Sequence, residues 1–304
     1  MPHTHTQIRH LSSYINRTVT FAKQNAPESW RIAARRAQLE AHNIRLRLAV
    51  PVSARSEFAN VYHCAIRKTA SQWITALFGD PILYQYSGLL PYVPRYYKWE
   101  HPEPPPQGRV ALSMFLSHRK FETIPKPERW RAFYVYRDPR DMVVSSYFST
   151  LKTHGPMGDI PELRRQLADK PVKDGLLHLI GHLNKQGAFR ALRSWVTAAE
   201  DERIALFRYE DLTGDRQADE LDRLLRHCGI TVPPDDLATL RQRYSFSRMR
   251  GNQTVSHYRR GSAGDWQNHF DDDLHQAFTT ATGNLIDLLG YPAKHQVPAP
   301  RQGT

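Results

Sequence analysis

Four short apolar runs recur along the chain, each bounded by turn-forming or polar residues and followed by a stretch with helical spacing. NVYHCAI (Asn60 to Ile66), VALSMF (Val110 to Phe115), RAFYVY (Arg131 to Tyr136) and RIALFR (Arg203 to Arg208) are rich in β-branched and aromatic residues and predict buried strands. Between them the period lengthens. Leu221, Leu224, Leu225 and Cys228 share one helical face, which Gly229 ends. In RDPRD, Asp138 is placed as an N-cap with Pro139 at the first helical position, Asp141 as the acidic half of a capping box, and Gly155 as the stop. Trp30, Ile32, Ala33 and Leu39 trace an amphipathic helix ahead of Pro51. Strands alternating with helices predict an α/β fold, a central, mostly parallel sheet flanked by helices in three layers, with ligands at the carboxyl ends of the strands.

The same pattern divides the chain. Residues 1–55, rich in Arg, Gln and His, read as an N-terminal helical extension, 56–292 as the main domain and 293–304 as a flexible tail. After Gly79-Asp80-Pro81 comes a stretch dense in Tyr and Pro, with Tyr84, Tyr86, Tyr92, Tyr96, Tyr97 and Trp99. It either lines a pocket or forms a proline-stiffened loop packed on the domain. The segment from Gly155 to about Gly187, charged and interrupted by Gly and Pro, is compatible with a mobile lid.

Charge narrows the partners. With 42 Lys and Arg against 30 Asp and Glu among 304 residues, the net charge of +12 calls for an acidic partner: a phosphorylated small molecule, a nucleic acid or an anionic membrane surface. The two cysteines, Cys64 and Cys228, are too few for a disulfide framework or a four-thiolate zinc site. His3, His5 and His63 form no ligand spacing, so no metal is expected. No apolar run approaches the roughly 20 residues that span a bilayer, and MPHTHTQIRH has no apolar signal core. A cytoplasmic protein without a transmembrane segment is the expectation.

Two of the strands end in a cationic turn that opens a helix: RKTASQW (Arg67 to Trp73) after the first, and RDPRDMVVSSYF (Arg137 to Phe148) after the third. A strand, a tight turn and a helix N-terminus gather free backbone N–H groups and the positive end of the helix dipole, where anions bind. A pair of such points suits a ligand with two phosphate-like ends.

The first turn occupies the place of a nucleotide-binding P-loop but lacks the glycines of GxxxxGK[ST]. Its order, lysine early and then Ser71 and Trp73, resembles the PKSGTTW loop of sulfotransferases that use 3′-phosphoadenosine 5′-phosphosulfate (PAPS). VYRDPRDMVVSSYF looks like that family's 3′-phosphate segment, which puts the phosphate contacts on Arg137 and Ser145. YRRGSAGDWQNHF (Tyr258 to Phe270) is similar to the family's RKGxxGDWKNxF and implies that Arg259, Arg260 and the backbone at Gly261 close over the same phosphate. Tyr209 in RYEDL, Phe246 in YSFSRM and Trp73 fall where the family contacts adenine. The resemblance covers roughly residues 57 to 290 and implies a P-loop NTPase-like three-layer sandwich. Arg67 in place of Pro, Ala70 in place of Gly and Gln72 in place of a hydroxyl residue mark a divergent, bacterial-type branch.

The resemblance also implies a reaction: in-line transfer of a sulfuryl group from PAPS to a hydroxyl or amine of a small-molecule, carbohydrate or lipid acceptor, without a metal. Arg67, Lys68, Thr69, Ala70, Ser71, Gln72 and Trp73 would line the donor, with Lys68 neutralising charge on the leaving oxygen. His118, in FLSHRKF just beyond the second strand, is the candidate base, with Glu122 and His154 as neighbours able to replace it. Assembly into a homodimer is allowed. Two rival readings are a P-loop kinase or nucleotide hydrolase and a basic nucleic-acid-binding protein. The first lacks the glycines around Lys68 and a distinct magnesium-binding carboxylate. The second leaves the clustering of basic residues at strand-to-helix turns unaccounted for, and no nucleic-acid-binding signature is present.

Overall fold

All four apolar runs form strands, and a fifth joins them, in the computed structural model, which describes residues 27–94, 104–245 and 263–292. In chain order they are β1 (Asn60–Ala65), β2 (Leu90–Tyr92), β3 (Arg109–Phe115), β4 (Trp130–Tyr136) and β5 (Ile204–Arg208). They pair in the order β2-β3-β1-β4-β5, every pair parallel. β2 is not predicted by pattern because Leu90-Pro91-Tyr92 has only three residues, one of them a proline, which sits at the sheet edge where its missing N–H does no harm.

Side chains alternate across the sheet. Tyr62 and Cys64 of β1, with Ala132 and Tyr134 of β4, face one layer, while Val61, Phe133 and Val135 face the other. The first layer is built chiefly from α5 (Pro139–Lys152), α6 (Ile160–Ala168), α7 (Val172–Lys185), α8 (Ala188–Ala198) and α12 (Asp272–Thr282). The second holds α2 (Ser71–Phe78), α10 (Gln217–His227) and α11 (Pro234–Arg243). Leu221, Leu224, Leu225 and Cys228 are buried in it as their spacing predicts, and Gly229 takes the left-handed φ of 64° that stops α10. Among the described residues no helix is long and apolar enough to cross a membrane.

A bulge interrupts this alternation. Tyr62 opposes Ala111 and Cys64 opposes Met114, so Leu112 and Ser113 of β3 together face His63, with Ser113 at a left-handed φ of 59°. The Ser113 N–H donates to His63 Nδ1 at 3.2 Å, and the His63 ring stacks on Phe133. The extra residue reverses the parity of the strand. Val110 and Leu112 belong to the second layer, whereas Met114 and Leu116 belong to the first.

Two expectations are corrected, and one open alternative is decided in part. The N-terminal helix exists as α1 (Glu28–Ala49), but its packed face carries Ile32, Leu39, Asn43 and Leu46, leaving Trp30 73% exposed and Ala33 also in solvent. Asn43 donates to the Pro91 carbonyl at 3.1 Å, which anchors α1 to the sheet edge. The segment from Gly155 to Gly187 folds as α6 and α7, with Ile160, Leu163, Leu167, Leu176, Leu179 and Ile180 buried, so it is a fixed part of the first layer. Gly175 lets α7 lie against Tyr147, whose ring is 2.4 Å from where a Cβ would stand. In the Tyr-rich stretch, Tyr84 packs with Leu46 and Leu90 and Tyr86 donates to Asp236 at 2.7 Å, so these two brace the domain. Tyr96, Tyr97 and Trp99 lie outside the described residues.

Candidate active site

Pairing of β1 with β4 sets Ala65 beside Val135, and pairing of β4 with β5 sets Tyr136 beside Arg208. The chain therefore leaves three neighbouring strands into Arg67–Ser71, Arg137–Pro139 and Tyr209 along one edge of the sheet. This edge includes the switch point at β1, whose neighbours β3 and β4 run off to opposite sides, the place where open parallel sheets bind ligands.

The first turn is held by its own groups. Thr69 is buried, and its hydroxyl donates to the Ile66 carbonyl at 2.7 Å. Lys68 and Ala70 both take left-handed φ, 74° and 61°, a region that costs a non-glycine residue about 1 kcal/mol or more. No side chain caps α2, which leaves the first-turn N–H groups facing the turn. Ser71 is half-buried at its start, while Arg67 and Gln72 are exposed. Lys68 is half-buried, and burial of its ammonium, with the Arg137 guanidinium adding, lowers its pKa to about 8. Two cations from different strands thus face a common space.

In the second turn Asp138 caps α5 as predicted, accepting the Arg140 N–H at 2.9 Å. Asp141 does not complete the capping box. Its carboxylate accepts the backbone N–H of Gly264 and of Trp266, each at 2.8 Å, and pairs with Arg137 at 3.3 Å. Burial pushes the Asp141 carboxyl up, against the pull of Arg137 and of the two N–H groups. Arg140 lies over the Trp266 ring, 3.6 Å from its centroid, and pairs with Asp138 at 2.7 Å. The Gly-Asp-Trp turn is thereby fastened to the RDPRD turn. Ser145, two turns into α5, is half-buried. Phe246, Arg259, Arg260 and Gly261 lie outside the described residues.

The adenine-side expectations are placed as follows. Arg137 stacks over the Tyr209 ring at 4.7 Å. Trp73 is 2% exposed, and its Nε1 donates to the Tyr244 carbonyl at 2.8 Å. Glu210, next to Tyr209, accepts the Asp138 N–H at 3.1 Å and the Tyr291 hydroxyl at 2.7 Å. It bolts the second turn to β5 and to the end of the domain. Neither this role nor the clasp at Asp141 is visible in sequence, because both partners of each contact are remote in the chain.

A cavity of about 560 Å³ opens beside Lys68 on the first-layer side of the sheet. Leu116, Met142, Ile160, Leu163 and Leu179 give it an apolar floor, and Ser146, Ser149 and Thr150 of α5 add hydroxyls. Its titratable wall includes His154, Asp159 and His182, with His182 Nε2 3.1 Å from Asp159 Oδ2. Asp159 also accepts from Gln186. His118 stands just beyond the strand end, as expected, but is not among the residues that line this cavity. It opens α4 (His118–Glu122), its ring packs edge-on to Trp195 at 5.2 Å, and its Nε2 lies 3.1 Å from Glu122 Oε1, off the cavity wall. The cause is the docking of its backbone. The His118 N–H donates to Ser194 Oγ at 3.0 Å, which turns Ser117 and Arg119 to the cavity and His118 away from it.

Residues 61–290 match the family model described as "Sulfotransferase domain". A 3-alpha-hydroxysteroid sulfotransferase of Cavia porcellus is 25% identical over 206 residues, 62% of this chain and 67% of that protein. Sulfotransferase 2A6 of Rattus norvegicus is 28% identical over 166 residues, 49% of this chain and 54% of that protein. The chain thus matches between about half and two thirds of the length of these relatives. Among solved structures, mouse sulfotransferase SULT7A1 complexed with PAP superposes with a TM-score of 0.56 at 16% identity, covering 77% of this chain and 87% of that one, a likeness of fold.

Proposed function

We propose, from the premise that this chain belongs to the sulfotransferase domain family, that it transfers a sulfuryl group from PAPS to the hydroxyl of a small apolar alcohol. The observation that carries this reading is the convergence of Lys68 and Arg137 from adjacent strand ends, close enough that Arg137 helps to depress the lysine. Two cations facing one space fit a ligand with separate anionic ends.

PAPS, when bound, supplies the sulfuryl group and departs as adenosine 3′,5′-bisphosphate. Lys68 and the first-turn N–H groups from Thr69 to Trp73 hold the 5′ end, where the lysine offsets charge on the departing oxygen. Arg137, Ser145 and the Arg259-Arg260-Gly261 segment hold the 3′-phosphate, and Trp73, Tyr209 and Phe246 bound the adenine. The acceptor enters the cavity, with its apolar body on Leu116, Met142 and Leu163 and its hydroxyl toward Lys68. Its oxygen bonds to sulfur as the sulfur–phosphate oxygen bond breaks, and its proton passes to a base on the wall. We assign that task to His182, whose imidazole is oriented by Asp159, in preference to His118, whose ring packs on Trp195. The hydroxysteroids of the relatives' names are the first acceptors to try.

Two measurements test the reading. Adenosine 3′,5′-bisphosphate should bind at least tenfold tighter than ATP, an order that a nucleotide kinase would reverse. Incubation with PAPS and a panel of hydroxysteroids and other alcohols should yield a sulfate mass increment on at least one acceptor. Equal binding of the two nucleotides, or no increment across the panel, overturns it.

A further inference from the structure

The mouth of the cavity differs from its floor. The floor is apolar, whereas Arg119, Lys120 and Arg190 stand exposed on the rim, in addition to Arg67 on the donor side. Among the described residues of the wall, Asp159 is the one carboxylate, and its Oδ2 is engaged by both His182 and Gln186.

Arg119 and Arg190 come from two helices pinned together. The His118 N–H donates to Ser194 Oγ at 3.0 Å, which fixes the first turn of α4 against α8. Arg119 is the next residue of α4, and Arg190 lies one turn before Ser194 on α8. Both arginines therefore come from one packed helix pair and line the same cavity as Lys68. A neutral alcohol would make no use of them. An acceptor with an acidic head would, because a guanidinium binds a carboxylate through paired, charge-assisted hydrogen bonds. The rim faces solvent, so the head loses only part of its hydration on binding.

We propose that the acceptor is an acidic amphiphile, an apolar alcohol whose far end carries an anionic group held by Arg119 and Arg190. This rests on the sulfotransferase reading above and adds the acceptor's chemical class. The proposal includes an order along the ligand, with the sulfated hydroxyl at Lys68 and the acidic head at the rim arginines.

The test compares a hydroxysteroid carboxylic acid with its methyl ester, the same body without the charge. With PAPS present, kcat/KM for the acid should exceed that for the ester by about 10- to 100-fold, the range of a charged hydrogen-bonded contact. The advantage should shrink with added salt and disappear in the Arg119→Ala, Arg190→Ala double variant, with partial recovery in the Lys pair. Calorimetry of the acid and the ester against protein saturated with adenosine 3′,5′-bisphosphate gives the same comparison without turnover. An ester bound as well as the acid by the natural protein, or an advantage that survives in the double variant, overturns the proposal. Loss of bisphosphate binding itself would instead strike the sulfotransferase reading, so the two failures are distinct.

Discussion

The carboxylate of Asp141 accepts the backbone N–H of Trp266 at 2.8 Å, which joins segments 125 residues apart. The same carboxylate takes the Gly264 N–H and the Arg137 guanidinium, so one buried acid serves three donors from two stretches of chain. Asp141→Ala would leave Arg137 without that partner and two N–H groups unsatisfied, at a cost of about 3–5 kcal/mol. Thermal unfolding should show a lowered Tm, and calorimetry at least tenfold weaker bisphosphate binding. Asp141→Asn, which keeps one acceptor oxygen, should lose less. Unchanged stability in the Ala variant would remove the clasp from the account.

Lys68 has its pKa lowered to about 8 through burial and the nearness of Arg137. At pH 8 the free protein therefore holds about half a proton there, and an arriving anion favours the charged form. Bisphosphate binding at pH 8 should take up roughly that half proton, read by calorimetry in buffers of different ionisation enthalpy. Lys68→Ala should fold, abolish the uptake and lower turnover by about 100-fold or more. Uptake unchanged in the variant would point to another group.

The two candidate bases differ in location, and kinetics should separate them. His182→Ala should reduce kcat by about 100-fold, whereas His118→Ala should leave kcat within a few-fold of the natural protein. The opposite result would restore His118 and set aside the Asp159 pair.

Ala70 sits at a φ of 61° where glycine would be unstrained. Ala70→Gly should relieve the strain, partly offset by the greater freedom of glycine in the unfolded chain, for a net gain of about 0.5–1 kcal/mol. Denaturant melts would show it. A loss of stability would mean that the Ala70 methyl packs more favourably than its backbone is strained.

His63 is fully buried and its pKa is lowered to about 3 by desolvation. Between pH 6.5 and 3 the unfolded chain binds a proton that the folded chain refuses, so stability should fall as the solution is acidified through that window and stay level above it. At pH 4.5 the loss relative to pH 7 should be about 2–3 kcal/mol larger than in His63→Gln, whose side-chain carbonyl can still accept from Ser113. Parallel acid profiles in the two proteins would dismiss the effect.

Much of this architecture was legible because it is local. The four long strands, the Asp138 cap and the leucine face of α10 follow from apolar spacing and turn chemistry within a few residues. What pattern could not supply lies in contacts between remote segments. Asp141 looks like a capping acid because a cap needs only its neighbours, while its actual partners, Gly264 and Trp266, are chosen by the fold. The Gly155–Gly187 stretch reads as a lid since Pro171 and Gly175 break the helical signal, yet Pro171 sits at a helix N-cap and Gly175 is where Tyr147 needs room. His118 follows a strand end in sequence, but the hydrogen bond from its own backbone to Ser194 decides where the ring goes.

The doubled residue at Leu112 and Ser113 has the widest reach. By adding one position to β3 it sets Met114 opposite Cys64 and turns Met114 and Leu116 to the acceptor side of the sheet. A chain shortened by Ser113 would run straight from Leu112 to Met114 and keep Met114 and Leu116 on that layer, whereas the full chain paired without the bulge would turn both to the other. The size and charge of the chamber are matters of composition, but its existence on that side is a matter of counting.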